Sequence, residues 1–302
     1  MDINSVRLNF NKDSVYLINA LVGFIMFGIA LELKLQDFKH LLRYPKPAFV
    51  GLFSQYILLP VATLLIIWVI NPHPGLALGM VLVAACPGGN MSNFFTHLAK
   101  GNLALSVSLT TFSSAFAFIL TPIGFFFWGN LLPITREYLK SISVSPYEIL
   151  VSITVLLVVP LILGILFQKF FPKLTHTVKR AVQRISILLL GFFIVGALAS
   201  NWKFFKEYIH LLFGLVFVMN LAGLSLGYYF AKLFRLPLGD RKTVAIETGI
   251  QNSSLGLAIV FGFFDGLGGM AMICAWWGIW HLIAGAAIAT YWNKTAPKEL
   301  ES

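Results

Sequence analysis

Residues 247–253 read Glu-Thr-Gly-Ile-Gln-Asn-Ser, and they interrupt a run from about Thr243 to Phe264 that is otherwise typical of a membrane-crossing helix. Of the twelve aspartate and glutamate residues, Glu247 is the one that this pattern places toward the bilayer interior. A charged side chain at that depth costs about 2.5–3.5 kcal/mol on insertion scales, so it normally pairs with a cation or becomes protonated. The amide and hydroxyl groups beside it favour a position inside the protein. The stretch therefore indicates an ion-binding site.

The composition is that of a helical membrane protein. Of the 302 residues, 58% are hydrophobic and 11% are charged, and the mean hydropathy is +0.83. A soluble domain carries about 25% charged residues. Apolar runs of about twenty residues recur along the chain, which predicts an all-α polytopic membrane protein with a single transmembrane domain over residues 1–302.

Charge and cysteine content limit the other function classes. A net charge of +10 suits nucleic acid, but basic cytoplasmic loops explain it better in a membrane protein. We therefore expect a lipid bilayer around the chain, no nucleic acid and no obligate protein partner. The two cysteines, Cys86 and Cys274, lie in apolar segments at a spacing that fits neither a metal pattern nor a disulfide framework. The segment before about Ser14 lacks the features of a cleaved signal peptide.

Hydropathy predicts nine membrane spans. The second contains Pro60, where a kink is expected, and the fifth contains Pro160. The nine spans lie at about 14–33, 47–70, 75–98, 103–128, 146–170, 183–201, 208–233, 240–264 and 267–292.

The distribution of basic residues predicts the orientation. Of the 22 lysine and arginine residues, sixteen fall in segments on the face of the membrane where the carboxyl terminus lies. The six on the other side are Arg7, Lys12, Arg136, Lys140, Lys203 and Lys206. Cytoplasmic segments carry the excess of basic residues, so the amino terminus is expected outside and the carboxyl terminus inside. The predicted location is the plasma membrane, which in a bacterium is the inner membrane.

Two of the predicted spans contain a break. The third carries Cys-Pro-Gly-Gly-Asn-Met-Ser-Asn at residues 86–93, where proline removes a backbone donor and glycine tolerates unwound dihedrals. The eighth carries residues 247–253. The two spans enter the membrane from opposite sides, one in each half, which indicates an inverted-repeat transporter. The repeats lie at about 14–128 and 146–292, and the first is one span short.

Side chains near the breaks offer oxygen ligands to a hard cation such as Na⁺. Gln251 lies one turn after Glu247, on the same helix face. An unwound segment near Gly249 would release the carbonyls of Thr248 and Ile250. Further oxygens come from Gln55 in the second span, Ser92 and Asn93 in the third, and Ser106 and Thr110, four residues apart, in the fourth.

Each of these residues also has a structural interpretation. Glu247 could be a protonated carboxyl group that is hydrogen-bonded between helices. The hydroxyls of Ser106 and Thr110 could bond to carbonyls of their own helix, which is common in membranes. The amide of Gln55 could serve as an interhelical hydrogen bond. Taken as a set beside Glu247, the hydroxyls favour coordination.

The first break also predicts a site for an anion. A half-helix that begins near Gly89 points the positive end of its dipole at the break, which favours an anionic substrate group. Asn252 and Ser253 face this position from the second break. His281, in the middle of the ninth span, is either an interhelical partner or a substrate or proton group.

The motifs at 86–93 and 247–253, each in a broken helix, resemble those of the bile acid:sodium symporter family. This family includes the liver and ileal bile acid carriers and bacterial homologues, and the resemblance runs from about Ser14 to Trp292. It implies a panel domain and a core domain, with two crossed discontinuous helices in the core. The panel helices would lie at about 14–33, 146–170 and 183–201, and the core helices at about 47–128 and 208–292.

The same resemblance implies two sodium ions that share Glu247, and no organic cofactor. One sodium site would use Ser92, Asn93, Ser106, Thr110 and Glu247. The other would use Gln55, Glu247, Gln251 and the carbonyls of Thr248 and Ile250. Substrate would lie beside the crossing, at Asn90, Met91, Asn252, Ser253 and His281. Asn90 stands where several bacterial relatives have a small hydroxyl residue, which leaves the substrate open.

The leading hypothesis is sodium-coupled symport of an organic anion, such as a bile acid or a small carboxylate, by alternating access. A proton-coupled organic anion carrier that uses Glu247 and His281 is the alternative, and a non-transporting receptor is another. An intramembrane enzyme is disfavoured because the chain has no His-Glu-x-x-His motif, no paired aspartates within a span and no nucleophile with a placed base.

Overall fold

The computed structural model describes residues 12–142, 146–200 and 202–295, and these residues confirm the predicted all-α class. Within them, the backbone is helical apart from short connections and an isolated antiparallel bridge between Gly88 and Gln251. The predicted orientation of the two chain ends concerns residues before 12 and after 295, which lie outside the described part.

The described chain forms α-helices and a single π-helical turn, Ser54–Leu58. In chain order the α-helices are α1 (Lys12–Ala30), α2 (Leu35–Arg43), α3 (Pro45–Phe53), α4 (Leu59–Ile70), α5 (Pro74–Ala85), α6 (Met91–Leu98), α7 (Leu103–Ala115), α8 (Ala117–Gly129), α9 (Pro133–Ser141), α10 (Pro146–Phe170), α11 (Pro172–Ser200), α12 (Trp202–Leu233), α13 (Leu238–Gly249), α14 (Ser253–Phe263) and α15 (Gly268–Lys294).

Helices cover all nine predicted spans, but length and apolar composition identify fewer of them as membrane-crossing. In the described residues, three continuous helical stretches meet both criteria: Pro45–Ile70, Ile209–Leu233 and Gly268–Lys294. A fourth span is counted if α7 and α8, which meet at a bend, are taken as a pair. The number nine therefore remains a prediction.

The fourth predicted span, 103–128, differs from the structure because it is not one continuous helix. α7 and α8 meet at 75° around Phe116. There the ring of Phe116 packs on the ring of Phe112, with centroids 4.7 Å apart. The backbone carbonyl of Phe116 accepts the first hydrogen bonds of α8. Further along α8, Pro122 cannot donate to the carbonyl of Phe118, and Thr154 on α10 donates to that carbonyl instead, at 3.1 Å.

The predicted irregularity at Pro60 takes the form of the π-helical turn directly before it. α4 begins at Leu59, so Pro60 lies in the first turn of α4. Proline cannot donate to the carbonyl four residues earlier, and a wider turn relieves the clash of its ring with that carbonyl. The turn buries the side chains of Ser54 and Gln55 completely.

Both predicted helix breaks are confirmed, and they lie against each other. The first separates α5 from α6 at residues 86–90, and the second separates α13 from α14 at residues 250–252. The Gly89 N–H donates to the Ile250 carbonyl at 2.9 Å, and the Asn252 N–H donates to the Pro87 carbonyl at 2.8 Å. Backbone groups that the breaks release are thus paired with each other. We call this region the crossing.

The helices around the crossing are tightly packed. α5 packs against α15, and nearly every residue of α5 is buried. α13 packs against α12, where a Cβ added to Gly227 would lie 2.7 Å from the carbonyl oxygen of Val244. α1 packs against α10 and α11 and also contacts α14. These contacts hold the two breaks in the interior of the helical assembly.

Two amphipathic helices lie between the predicted spans. α2 packs against α7, and the Asp37 carboxylate accepts a hydrogen bond of 3.3 Å from Thr111. α9 packs against α5 and α8, and its Leu139 lies over Gly129. Hydropathy does not reveal such helices because their polar faces carry charged residues.

Candidate functional site

Glu247 is completely buried and surrounded by hydroxyl groups. It lies in the last turn of α13, just before the second break. Its Oε1 accepts hydrogen bonds from Ser92 Oγ and Ser106 Oγ, both at 2.5 Å. Thr110 Oγ1 lies 3.0 Å from each of the two carboxylate oxygens. Among the described residues, no cationic side chain contacts this carboxylate.

Asn93 completes the group of side chains around the carboxylate. Its Oδ1 accepts from Ser106 Oγ at 2.9 Å and lies 3.4 Å from Thr110 Oγ1. The first turn of α6 carries Ser92 and Asn93, whereas Ser106 and Thr110 lie one turn apart on α7. The structure thus brings together the five residues predicted for the first sodium site. We call Ser92, Asn93, Ser106, Thr110 and Glu247 the hydroxyl cluster.

The hydroxyl cluster holds more acceptor oxygens than its hydroxyl hydrogens can serve. Thr110 Oγ1 lies within 3.4 Å of five oxygens, which belong to Ser92, Asn93, the Ser106 carbonyl and both sides of the Glu247 carboxylate. A hydroxyl group has a single hydrogen, so Thr110 can donate to one of these oxygens only. The remaining lone pairs face one another. A hard cation would attract all of them, which makes the cluster chemically suited to one.

The residues predicted for the second sodium site also lie together, on the other side of Glu247. Gln55 on the π-helical turn donates from Nε2 to Gln251 Oε1, a long contact of 3.5 Å. Gln251 Nε2 donates to the Thr248 carbonyl at 2.9 Å and lies 3.3 Å from the Glu247 carbonyl. Gln55, Thr248 and Gln251 are fully buried. The structural interpretation of Gln55, an interhelical hydrogen bond, therefore accounts for its Nε2 atom but not for its Oε1 atom.

The carbonyls predicted as ligands are engaged in hydrogen bonds. Unwinding is confined to residues 250–252, and the carbonyl of Ile250 accepts from the Gly89 N–H. The carbonyl of Thr248 accepts from Gln251, as described above. Gln55 Oε1 is different, because it is buried and has no hydrogen-bond partner in the described part of the chain. An oxygen without a partner at this depth is available to a cation.

Two residues near the carboxylate were not predicted. Ser113 Oγ accepts from the Gly88 N–H at 3.3 Å, and Ser113 follows Ser106 by seven residues, a helical spacing that could have identified it. Asn220 on α12 donates from Nδ2 to the Gly249 carbonyl at 2.7 Å and is 1% exposed. A lone amide in the middle of an apolar span was the available signal for Asn220.

A cavity of about 300 Å³ adjoins the crossing on the side of α1, α11 and α15. α6 begins at this cavity with Met91 and α14 begins there with Ser253, so the positive ends of two helix dipoles face it. The apolar side chains of Ile25, Ile29 and Leu282 form part of the cavity wall. All five residues predicted for substrate line the cavity, namely Asn90, Met91, Asn252, Ser253 and His281.

The polar groups that line the cavity differ in whether they already make hydrogen bonds. Asn252 Oδ1 caps its own helix by accepting from the Leu255 N–H at 3.2 Å. Asn90 is exposed in the cavity and its side chain makes no capping bond. His281 is 6% exposed, and its Nδ1 has no hydrogen-bond partner in the described residues. Ser186 Oγ in the same lining also has no partner in the described residues, so Asn90, His281 and Ser186 are among the side chains that offer free polar atoms to a bound molecule.

Helices that break and cross beside a buried carboxylate are found in ion-coupled membrane transporters, and fold and site together place this chain in that class. Sequence comparison names the family. Residues 19–208 match the sodium bile acid symporter family, and the chain belongs to it. The chain is accordingly a member of a family of sodium-dependent transporters, and several of its relatives are named as transporters or cotransporters.

Three relatives illustrate the range of the family. An uncharacterized sodium-dependent transporter of Bacillus subtilis, YocS, is 33% identical over 282 residues, which is 93% of this chain and 84% of that protein. A probable sodium/metabolite cotransporter of Arabidopsis thaliana chloroplasts, BASS1, is 31% identical over 91% of this chain and 66% of its own length. Sodium/bile acid cotransporter 5 of the rat is 28% identical over 84% of this chain and 57% of its own length.

Proposed function

We propose that this chain is a sodium-coupled symporter of an organic anion. The observation that carries the proposal is the burial of Glu247 among three hydroxyls and an amide oxygen, with no cationic side chain from the described residues beside it. A carboxylate in that position needs a positive charge, and the side-chain oxygens of the hydroxyl cluster are of the kind that a hard cation prefers. The relatives named as sodium-dependent transporters and sodium cotransporters make Na⁺ the cation of choice.

Two sodium ions would share the carboxylate. The Oε1 side, which already contacts Ser92 and Ser106, would hold the first ion within the hydroxyl cluster. The second ion would lie toward Gln55 and Gln251, where Gln55 Oε1 has no partner among the residues that the structure describes. The Thr248 and Ile250 carbonyls would join the oxygen ligands of the second ion after the Gln251 amide and the crossing adjust. Each ion would thus bind residues from both broken helices and hold them in one geometry.

The substrate would occupy the cavity beside the crossing. Two sodium ions on one carboxylate leave an excess of one positive charge, and two helix amino termini add to it, so an anion is favoured. Asn90, Met91, Asn252, Ser253 and His281 would contact its polar group, and the apolar wall would contact its hydrocarbon part. Bile acids and smaller carboxylates both fit this description.

Transport would proceed by alternating access. In the proposed arrangement nine spans form two inverted repeats, at about 14–128 and 146–292, with the amino terminus outside the plasma membrane. The helices at about 14–33, 146–170 and 183–201 would form a panel that moves against the core. The packing of α1 against α10 and α11, with the cavity between α1 and the crossing, supports this division. Ions and substrate are coupled if they favour the same state.

The proposal is tested with purified protein in liposomes. Uptake of a panel of radiolabelled organic anions, including a bile acid and small hydroxycarboxylates, is measured with an inward gradient of NaCl or of choline chloride. We expect uptake of at least one anion only with Na⁺. Equal uptake in choline chloride would overturn sodium coupling. Uptake that follows a pH gradient instead would support the alternative, a proton-coupled carrier that uses Glu247.

A further inference from the structure

The helices that carry the hydroxyl cluster are joined at one end by a set of partly buried hydrogen bonds. Asn102, the amino-terminal cap of α7, donates from its backbone N–H to Thr243 Oγ1 at 2.8 Å and from Nδ2 to Asp240 Oδ1 at 2.8 Å. Thr243 Oγ1 lies 3.2 Å from the Asn102 carbonyl and 2.9 Å from the Gly239 carbonyl. These contacts tie the start of α7 to the first turns of α13.

The same contacts lie one helical turn from the carboxylate. Thr243 precedes Glu247 by four residues on α13, and Asn102 precedes Ser106 by four residues on α7. Residues four apart lie above one another on a helix face, so the Asn102–Thr243 contact repeats one turn later as the Ser106–Glu247 contact. Parallel helices joined at two successive turns cannot slide along each other without stretching both contacts.

The joint lies largely in the interior and also reaches α6. Thr243 is fully buried and Asp240 is 8% exposed. Asn102 Oδ1 accepts from the Leu105 N–H at 3.1 Å, so both atoms of its amide are engaged. Lys242 Nζ donates to the carbonyl of Ala99 at the end of α6, at 2.9 Å. The three helices that supply the cluster, α6, α7 and α13, therefore meet here.

We propose that Asn102, Asp240 and Thr243 are positioning residues, which set the register between α7 and α13 and thereby the affinity for the cation at Glu247. At 1.5 Å per residue, Asn102 and Thr243 lie about 6 Å along the helix axes from the cluster and Asp240 lies about 10 Å from it, and none of them binds the ion itself. A small slip of α7 along α13 would displace the Ser106 and Thr110 hydroxyls together relative to the carboxylate. This inference rests on the proposed function, because it requires a cation to be positioned.

The first experiment removes one hydroxyl from the joint. Thr243→Val keeps the shape of the side chain and loses its hydrogen bonds, whereas Thr243→Ser keeps the hydroxyl. The melting temperature of the purified protein is titrated with NaCl that replaces choline chloride at constant ionic strength. We expect the half-saturating Na⁺ concentration to rise roughly tenfold in Thr243→Val, as fits a lost buried hydrogen bond. Thr243→Ser should stay close to the unmodified protein.

Thr63→Val is the matched control. The Thr63 hydroxyl is also fully buried in a membrane helix, but it donates to the Leu59 carbonyl of its own helix at 2.8 Å. Its removal should lower the melting temperature without sodium and leave the half-saturating Na⁺ concentration unchanged. A purely structural effect of Thr243→Val would follow the same pattern, so the sodium titration separates positioning from stability.

The second experiment reverses the side-chain pair. Asn102→Asp keeps the cap on α7 but places two carboxylates against each other, so the Na⁺ affinity should fall. The double variant Asn102→Asp with Asp240→Asn restores a donor and an acceptor in the opposite order. We expect its half-saturating Na⁺ concentration to return toward that of the unmodified protein.

The outcomes separate the two proposals. If the unmodified protein is not stabilised by Na⁺ over choline, the proposed function is wrong and this inference fails with it. If the unmodified protein is stabilised, the inference alone is overturned by an unchanged half-saturating concentration in Thr243→Val, or by a double variant no better than Asn102→Asp.

Discussion

Gly88 lies directly against the carboxylate of Glu247. A Cβ added to Gly88 would stand 2.8 Å from Glu247 Oε2, closer than Cβ atoms approach other atoms in proteins. Glycine at this position therefore provides the space for the carboxylate, in addition to allowing the break between α5 and α6. The relationship connects the first break to the acidic residue of the second half, which neither motif shows alone.

Gly88→Ala tests this relationship. The added methyl group forces the carboxylate away from the crossing, so we expect the half-saturating Na⁺ concentration to rise by roughly tenfold, or about 1.4 kcal/mol of binding free energy. Sodium-dependent thermal stabilisation is the measurement. Gly214→Ala is the control, because a Cβ at Gly214 would meet no atom of the described residues within 4 Å. An unchanged sodium titration in Gly88→Ala would show that the carboxylate is not confined as described.

Glu247→Gln removes the negative charge and keeps the shape of the side chain. We expect sodium-dependent stabilisation to be abolished, since the remaining oxygens carry no net charge to offset that of the ion. Without sodium the melting temperature should not fall, because a buried charge is replaced by a neutral amide. Glu137→Gln on α9, an exposed position, is the control. Sodium stabilisation that survives in Glu247→Gln contradicts the assignment of the ion site.

Asn90→Ser and His281→Gln should alter substrate preference more than sodium affinity. Both residues line the cavity but belong to neither proposed sodium site. Thermal shifts with a series of organic anions, measured with and without Na⁺, give both constants for each variant. A large change in half-saturating Na⁺ with unchanged anion preference would place these residues at the ion instead.

Asn220→Leu should destabilise the protein. The substitution preserves much of the volume but leaves the Gly249 carbonyl, now bonded at 2.7 Å, without its donor. An unsatisfied buried carbonyl costs about 1–3 kcal/mol, so the melting temperature should fall without sodium. Asn130→Ala is the control, because that amide also donates to a carbonyl, at 2.7 Å, but at an exposed position. Equal losses in both variants would contradict a special role for Asn220.

The predicted orientation is tested by cysteine labelling. Cys86 and Cys274 are completely buried, so background labelling of intact cells should be low. Arg136→Cys should react with a membrane-impermeant maleimide added outside, whereas Lys46→Cys should react only after permeabilisation, since the positive-inside rule places them on opposite sides. The reverse pattern would invert the proposed topology.

Sequence reasoning identified the features that depend on backbone chemistry. Proline at residue 87 and the glycines that follow predicted the first break, and Gly249 among polar residues predicted the second. The same reasoning grouped Ser106 with Thr110, because helical spacing alone places them on one face. These properties are local, and tertiary packing did not override them.

Features that depend on packing between distant segments were not predicted. The bend at Phe116 has neither proline nor glycine at its centre, and it accompanies ring contacts that a single segment does not reveal. The role of Asn220 follows from the packing of α12 against the end of α13, which the sequence does not reveal. The hydrogen bond that the Ile250 carbonyl, one of the predicted ligands, accepts from Gly89 likewise depends on the second break meeting the first.

Pairing of the two breaks has a consequence for biosynthesis. Residues 86–90 leave the ribosome long before residues 250–252 exist, so Pro87 and Gly89 enter the translocon without their partners. Unpaired backbone groups cost several kcal/mol each in lipid, and the early segment therefore needs a hydrated environment until the later one arrives. Assembly of the two halves is a late event in maturation, and either half translated separately would expose polar backbone to the hydrocarbon.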